Sequence, residues 1–468
     1  MRQRVVGLLI VWLTLLGGNY FLYMTVLPVR VLHHAVITGV LGYWLVKRGI
    51  PRTPFVLPIF GVIFAAFVSA LLSRDPRMAL ENVWFWFNHG LLFLLFIDLN
   101  RQGYGEDLMH AHLWIVGLIG VWGFEQWALP PGSVRPASLF GIVNLAGAYC
   151  APLVVVAAAY FHSTRDKAYL VPGALALLMV LLNQSRGGLL ALTVGLLAFG
   201  FLQSILRVRV RLILLPVAAL TVALVLAQIG SSLHRVDMYR TAGIMIADHG
   251  FFGVGPGLYG IVHRDLAILP GDYIAGAHNL TVNIAAEIGT VGLLMCLWLF
   301  VLFVASIDRQ RSARENGALA ALMAMMVHGL VDNQVATAYA ALVMVLAAYL
   351  VAHNYRARIR PFGLKVDPTV RQRIVLTVVA CALIGSYAGF LLDLDTAQMY
   401  YDASLITGDV ESARFAYEQD PLELYRLNLA ALEVQAAFTQ DVTGLVDASL
   451  GIDHRSEFAM ANYARYWR

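Results

Sequence analysis

The chain has 468 residues, of which 59% are hydrophobic and only 13% charged, with a mean hydropathy of +0.71. Soluble domains carry about 25% charged residues, so most of this surface is solvated by lipid. The net charge of +4 excludes a nucleic-acid partner of the usual basic kind, and Cys150, Cys296 and Cys381 all fall in apolar runs, against a disulfide framework, a cysteine zinc site or a thiol nucleophile.

In chain order, apolar runs long enough to cross about 30 Å of hydrocarbon predict spans near 5–27, 31–46, 54–72, 82–98, 112–129, 142–161, 168–183, 188–205, 212–229, 281–306, 317–335, 336–352 and 374–393. The expected fold class is an all-α polytopic membrane protein of about 12–13 transmembrane helices. Arg2 and Arg4 precede the first run, and the first alanine is Ala35, so no A-x-A cleavage site follows it; the run reads as a retained signal anchor. With the N-terminus in the cytoplasm, 20 basic residues fall on inner segments, 8 on outer loops and 5 in the tail. That bias orients the bundle.

Residues 1–393 are thus expected to form a transmembrane domain whose longest interruption, the loop 230–279, is periplasmic. The tail, 394–468, is expected to be helical and periplasmic as well. Its small residues Ala403, Gly408, Ala413 and Ala416, followed by Asp420-Pro421, look like a tetratricopeptide unit. A single unit cannot bury its own face, so the tail either packs on neighbouring helices or receives a periplasmic protein.

The outer loop carries Arg235, Tyr239 and Arg240, then Gly253-Val254-Gly255-Pro256-Gly257, then His278-Asn279 opening the tenth span. Within that span Glu287, Gly289 and Gly292 follow. Gly255 to Gly260 matches G-x-G-x-x-G, but no strand–helix unit surrounds it, and it reads as a loop whose backbone approaches a ligand or lipid headgroup. His110 and His112 lie on the predicted inner side, where a metal site is not expected.

These motifs resemble the bacterial O-antigen ligase/polymerase superfamily, membrane glycosyltransferases that use undecaprenyl-diphosphate-linked glycans. The ligase signature of His-Asn, nine residues and Gly-x-x-Gly is met at 278–292. Arg135 with Phe140-Gly141 and Asn144-Leu145-Ala146, Ser185-Arg186-Gly187, and Arg235, Tyr239 and Arg240 before the glycine loop are similar to three further family segments in the same order. The resemblance covers roughly residues 60–350; the thirteenth span and the tail depart from the family's minimal twelve-span plan.

The chemistry implied suits these residue types. A diphosphate is already a good leaving group and needs its charge held, a task for guanidinium, which stays charged and forks onto phosphate oxygens. Arg186, Arg240, Arg235 and Arg135 are the candidates for that contact. The acceptor hydroxyl needs a base, and His278 at the mouth of the tenth helix is the candidate, with Asn279 as its N-cap.

Glu287 either orients a site residue or pairs with an arginine, since an unpaired carboxylate in a membrane is costly. Tyr239 belongs to the arginine motif. Gly289 and Gly292 are expected to let a neighbouring helix approach. His328 and Asp332, four apart near the outer end of the eleventh span, read as a hydrogen-bonded pair or as part of the acceptor site.

The function expected is inverting, metal-independent transfer of an undecaprenyl-diphosphate-linked glycan to a sugar acceptor, foremost the lipid A core, in the bacterial inner membrane. No cofactor and no metal are expected, because the outer loop has no DxD-type carboxylate pair. A polymerase acting on a second lipid-linked glycan, or a protein O-oligosaccharyltransferase, are the alternatives within the class. The rival class is a lipid-glycan transporter, which would show repeated halves and broken helices near the midplane.

Overall fold

The structure is a computed structural model that describes residues 3–18, 27–128, 135–204, 233–268, 274, 276–332, 337–353, 370–420 and 423–437. Among them the chain is all helical: α1 (Gln3–Val11), α2 (Leu27–Arg48), α3 (Val56–Leu72), α4 (Pro76–Arg101), α5 (Gly105–Ala128), α6 (Val143–Thr164), α7 (Leu170–Asn183), α8 (Arg186–Leu202), α9 (Leu233–Asp248), α10 (Tyr259–Leu266), α11 (Leu280–Ser306), α12 (Ala313–Gly329), α13 (Thr337–Val351), α14 (Val370–Thr407), α15 (Val410–Gln419) and α16 (Glu423–Ala437). Four helices, α4, α5, α6 and α11, are long and apolar enough to cross a membrane. Leu294, Leu297, Trp298, Val301 and Val304 of α11 are exposed, a face suited to hydrocarbon rather than water. The protein is an all-α polytopic membrane protein. Every predicted span meets a helix except 212–229, which lies outside the described residues.

The chain forms two compact units. The first comprises 1–21 and 44–375. Its centre is the mutual packing of α6, α8 and α12, made close by small residues. A Cβ added at Gly195 of α8 would lie 2.7 Å from Val155 and 3.0 Å from Ala324, so neither α6 nor α12 leaves room for a larger side chain there. α5 and α7 flank this block, α3 packs on α4 and α11, and α13 touches both α4 and α12.

One end of the block is tied by Glu106. Its carboxylate accepts from Tyr160 (2.8 Å) and Tyr349 (2.6 Å) and pairs with Arg314 (2.9 Å). His110 and His112 meet hydroxyls there and deeper in the block, Tyr169 at 2.9 Å and Tyr149 at 2.6 Å. The other end of α6, about 24 Å away by helical rise, meets the turn that opens α8. The predicted motifs gather at that end.

The second unit comprises 22–43 and 376–468. There α14 continues past the expected domain boundary at 393, and α15 packs against α16. Ala397, Tyr401, Ala416 and Tyr425 form its core, and Gly408 (φ +71°) turns the chain between α14 and α15. Asp409 caps α15, accepting from the backbone of Ser412 at 2.9 Å.

Candidate active site

His278 stands just before α11 in the left-handed region (φ +46°), uncommon for a residue other than glycine. The next residue holds it there. Asn279 accepts from Thr281 and Val282 N–H as the N-cap and donates its own amide to the Leu330 carbonyl at 3.1 Å. His278 Nδ1 lies 2.7 Å from Asp332 Oδ1, with the carboxylate 8% exposed and the imidazole 38%. An ionised carboxylate only accepts, so in this pair the imidazole donates from Nδ1 and presents Nε2 on the side away from Asp332.

The expected side-chain bond between His328 and Asp332 is not formed. α12 ends at Gly329; the Asp332 N–H still closes a turn onto the His328 carbonyl at 2.9 Å, but the two side chains do not bond. The Asp332 carboxylate instead reaches 54 residues back to His278. His328 is fully buried beside Gly187 and Tyr339, and neither of its ring nitrogens has a hydrogen-bond partner among the described residues.

The same short turn after α12 gathers the arginine segments. Arg235 of α9 donates to the Val331 carbonyl at 3.1 Å. Gly187, beside Arg186, packs on His328 and Val331. Arg186 itself is exposed and has no hydrogen-bond or ion-pair partner among the described residues. Arg135 grips the turn ahead of α8, donating to the carbonyls of Asn183 (2.8 Å) and Gln184 (3.0 Å). Ser185 caps α8 and bonds Asn144 at 3.2 Å. Arg240 lies farther along α9, on Asp237 (3.4 Å) and the Leu266 carbonyl (3.0 Å), and Tyr239 beside it is exposed.

The expected role of Gly289 and Gly292 needs correction. Gly289 (φ 69°, ψ −174°) breaks α11, and what approaches it is no helix but the loop 250–255. Val254 and Gly255 N–H donate to the carbonyls of Ala286 (2.9 Å) and Glu287 (3.0 Å), while Thr290 and Val291 N–H donate to Gly250 (2.9 Å) and Phe251 (3.2 Å). A Cβ on Gly289 would lie 2.3 Å from the Phe251 carbonyl oxygen. Gly292 faces Ile288 of its own helix. These glycines of the loop approach protein: a Cβ on Gly253 would meet the Glu287 backbone, and one on Gly257 the Asn82 side chain.

Glu287, buried, has no arginine partner among the described residues. It accepts from the backbone N–H of Gly257 and Tyr259 and from the Asn283 side chain. Tyr259 in turn donates to the Met238 carbonyl of α9 at 2.7 Å, and burial pushes its phenol up to about 12, so it remains a donor.

Residues 171–297 match the family model described as O-antigen ligase. This segment belongs to the O-antigen ligase superfamily. No curated protein matches the chain. The O-antigen ligase segment carries Arg186, Arg235, Arg240, His278 and the broken α11, whereas Arg135, His328 and Asp332 join from outside it. The family supports glycosyltransferase activity of the O-antigen ligase/polymerase type.

Two residues of the ligase segment carried no sequence signal. Buried Asp237 accepts from Ile268 N–H at 2.9 Å and so ties α9 to the end of α10. Asn283 accepts from Ala277 N–H at 3.1 Å. Both bond to backbone groups, which no side-chain pattern reveals.

Proposed function

We propose that the chain transfers a glycan from an undecaprenyl-diphosphate donor to an acceptor hydroxyl at the periplasmic face of the bacterial inner membrane, with inversion at the sugar C1 and without a metal. The observation that carries this reading is the His278–Asp332 pair at 2.7 Å on the turn that also binds Arg235 and packs against Gly187. In the step, the acceptor oxygen attacks C1 from the face opposite the diphosphate and the C1–O bond to phosphate breaks. The hydroxyl proton passes to His278 Nε2, Asp332 stabilises the imidazolium, and the departing diphosphate keeps the electron pair. Its charge is met by Arg186 together with Arg235, Arg240 and Arg135.

The lipid A core is the acceptor favoured by the complete His-Asn…Gly-x-x-Gly signature. The break in α11 is filled by the chain's own loop and not left open to a substrate, which supports transfer over transport. The test is reconstitution with a lipid-linked glycan and three separate acceptors: lipid A core, a second lipid-linked glycan, and a protein. Glycan on lipid A core is the expected product. Transfer only to another acceptor reassigns the substrate. No transfer to any, with donor crossing the vesicle bilayer, overturns the reading in favour of transport.

In that assay Arg186→Ala is expected to raise the donor KM about 10- to 100-fold, the loss of one or two charge-assisted bonds. Lysine should restore only part of this, because it lacks the fork. A normal donor KM in the alanine variant would remove Arg186 from the diphosphate site.

The periplasmic placement has its own measurement. In a background without native cysteines, single cysteines at the exposed positions Ile268 and Glu418 should both react with an impermeant thiol reagent in spheroplasts. Reaction only after lysis would invert the topology.

A further inference from the structure

Asn279, the N-cap, is followed at four-residue spacing by Asn283 and Glu287 on the first half of α11. Asn283, in the middle, looks both ways along this stripe. Its side-chain oxygen accepts the N–H of Ala277, the residue before His278, and its amide donates to the Glu287 carboxylate. Glu287 holds the N–H groups of Gly257 and Tyr259, and the Tyr259 hydroxyl reaches Met238, between Arg235 and Arg240 on α9. A chain of hydrogen bonds thus runs from the arginine helix to the backbone of Ala277, just before the candidate base.

We infer that Asn283, oriented by Glu287, is a positioning residue that fixes the aim of His278 and couples it to the arginine helix. This rests on the reading of His278 as the base. His278 sits in the left-handed region, which a residue with a Cβ adopts at a cost and keeps only when its surroundings hold it. Asn279 holds it from the chain's forward side and Asn283 from its rear. Asn283 is 4% exposed, so water does not replace its bonds. Freed of the Ala277 tie, the imidazole keeps Asp332 but loses its register against the acceptor. Misplacement of about 1 Å costs on the order of 10²-fold in rate.

The test is steady-state transfer with the full-length protein in lipid. Asn283→Ala is expected to lower kcat about 10- to 100-fold while the donor KM stays within about twofold of wild type. Asn283→Asp sets a second carboxylate against Glu287 and should lose as much. The double variant Asn283→Asp with Glu287→Gln reverses donor and acceptor across the pair. The amide introduced at position 287 then donates to the carboxylate introduced at position 283, whose other oxygen still accepts from the Ala277 N–H. This variant should regain at least about tenfold over Asn283→Asp alone.

That rescue, and the separation of kcat from KM, are results that a merely space-filling side chain would not give. The proposal is overturned if Asn283→Ala keeps kcat within about twofold while His278→Ala loses transfer. It is equally overturned if kcat and thermal stability fall together, the donor KM rises, and the double variant, folded, recovers nothing. Normal transfer by His278→Ala is a separate failure, that of the base itself, and takes the positioning role with it.

Discussion

His278→Ala is expected to lower transfer about 10²–10⁴-fold, the usual contribution of a positioned general base, with insertion and donor binding retained. Asp332→Asn should fall in the same direction by about 10²-fold or more. An amide can donate as well as accept, so it no longer fixes the proton on Nδ1, and the tautomer with Nε2 protonated cannot take a hydroxyl proton. His278→Gln keeps a hydrogen-bonding group but no basic nitrogen and should not recover. His249, exposed on the loop after α9, is the control and should tolerate alanine. Near-normal transfer by His278→Ala in a purified assay would show that the base lies elsewhere or that the diphosphate alone drives departure.

Gly289→Ala is the second substitution with a large expected effect, on architecture first and activity through it. At φ 69° and ψ −174° a side chain costs about 1–3 kcal/mol in backbone strain alone. The added methyl would also sit 2.3 Å from the Phe251 oxygen, so the loop has to leave. Amide exchange at Gly250–Gly255 should accelerate and proteolysis should open that loop. Transfer should fall at least about tenfold, because Glu287 and Asn283 lose what they hold. Gly243→Ala on α9, where nothing lies within 4 Å, should change none of these. Unaltered exchange in the Gly289 variant would mean that the loop does not depend on the break.

The sequence reading succeeded where the physics is local. Apolar length located helices over every described stretch predicted as a span, and Ala413 and Ala416 marked the buried face of α15. It misplaced Gly289 because two glycines three apart in an apolar run have the signature of a helix seam. The break takes its meaning from a loop about 35 residues earlier in the chain. It offered His328 and Asp332 as a hydrogen-bonded pair or as part of the acceptor site, and four-residue spacing gives no sign that the Asp332 carboxylate turns to His278 instead. Arg235, Asn279 and Arg135 stand among the expected site residues, yet each donates to a backbone carbonyl, which every residue carries.

The lacing of residues 250–255 into α11 also bears on how the protein is assembled. In hydrocarbon each backbone amide needs a partner, and the run 281–306 is apolar enough to enter the bilayer as one unbroken helix. With the loop away, residues on either side of Gly289 would satisfy each other in ordinary helical fashion. Docking exchanges those bonds, nearly one for one, for bonds to the loop. Insertion of the helix and docking of the loop would then be separable events, the helix entering straight and the loop folding onto Gly289 afterwards. A chain arrested between the two would be fully inserted, normally oriented and inert.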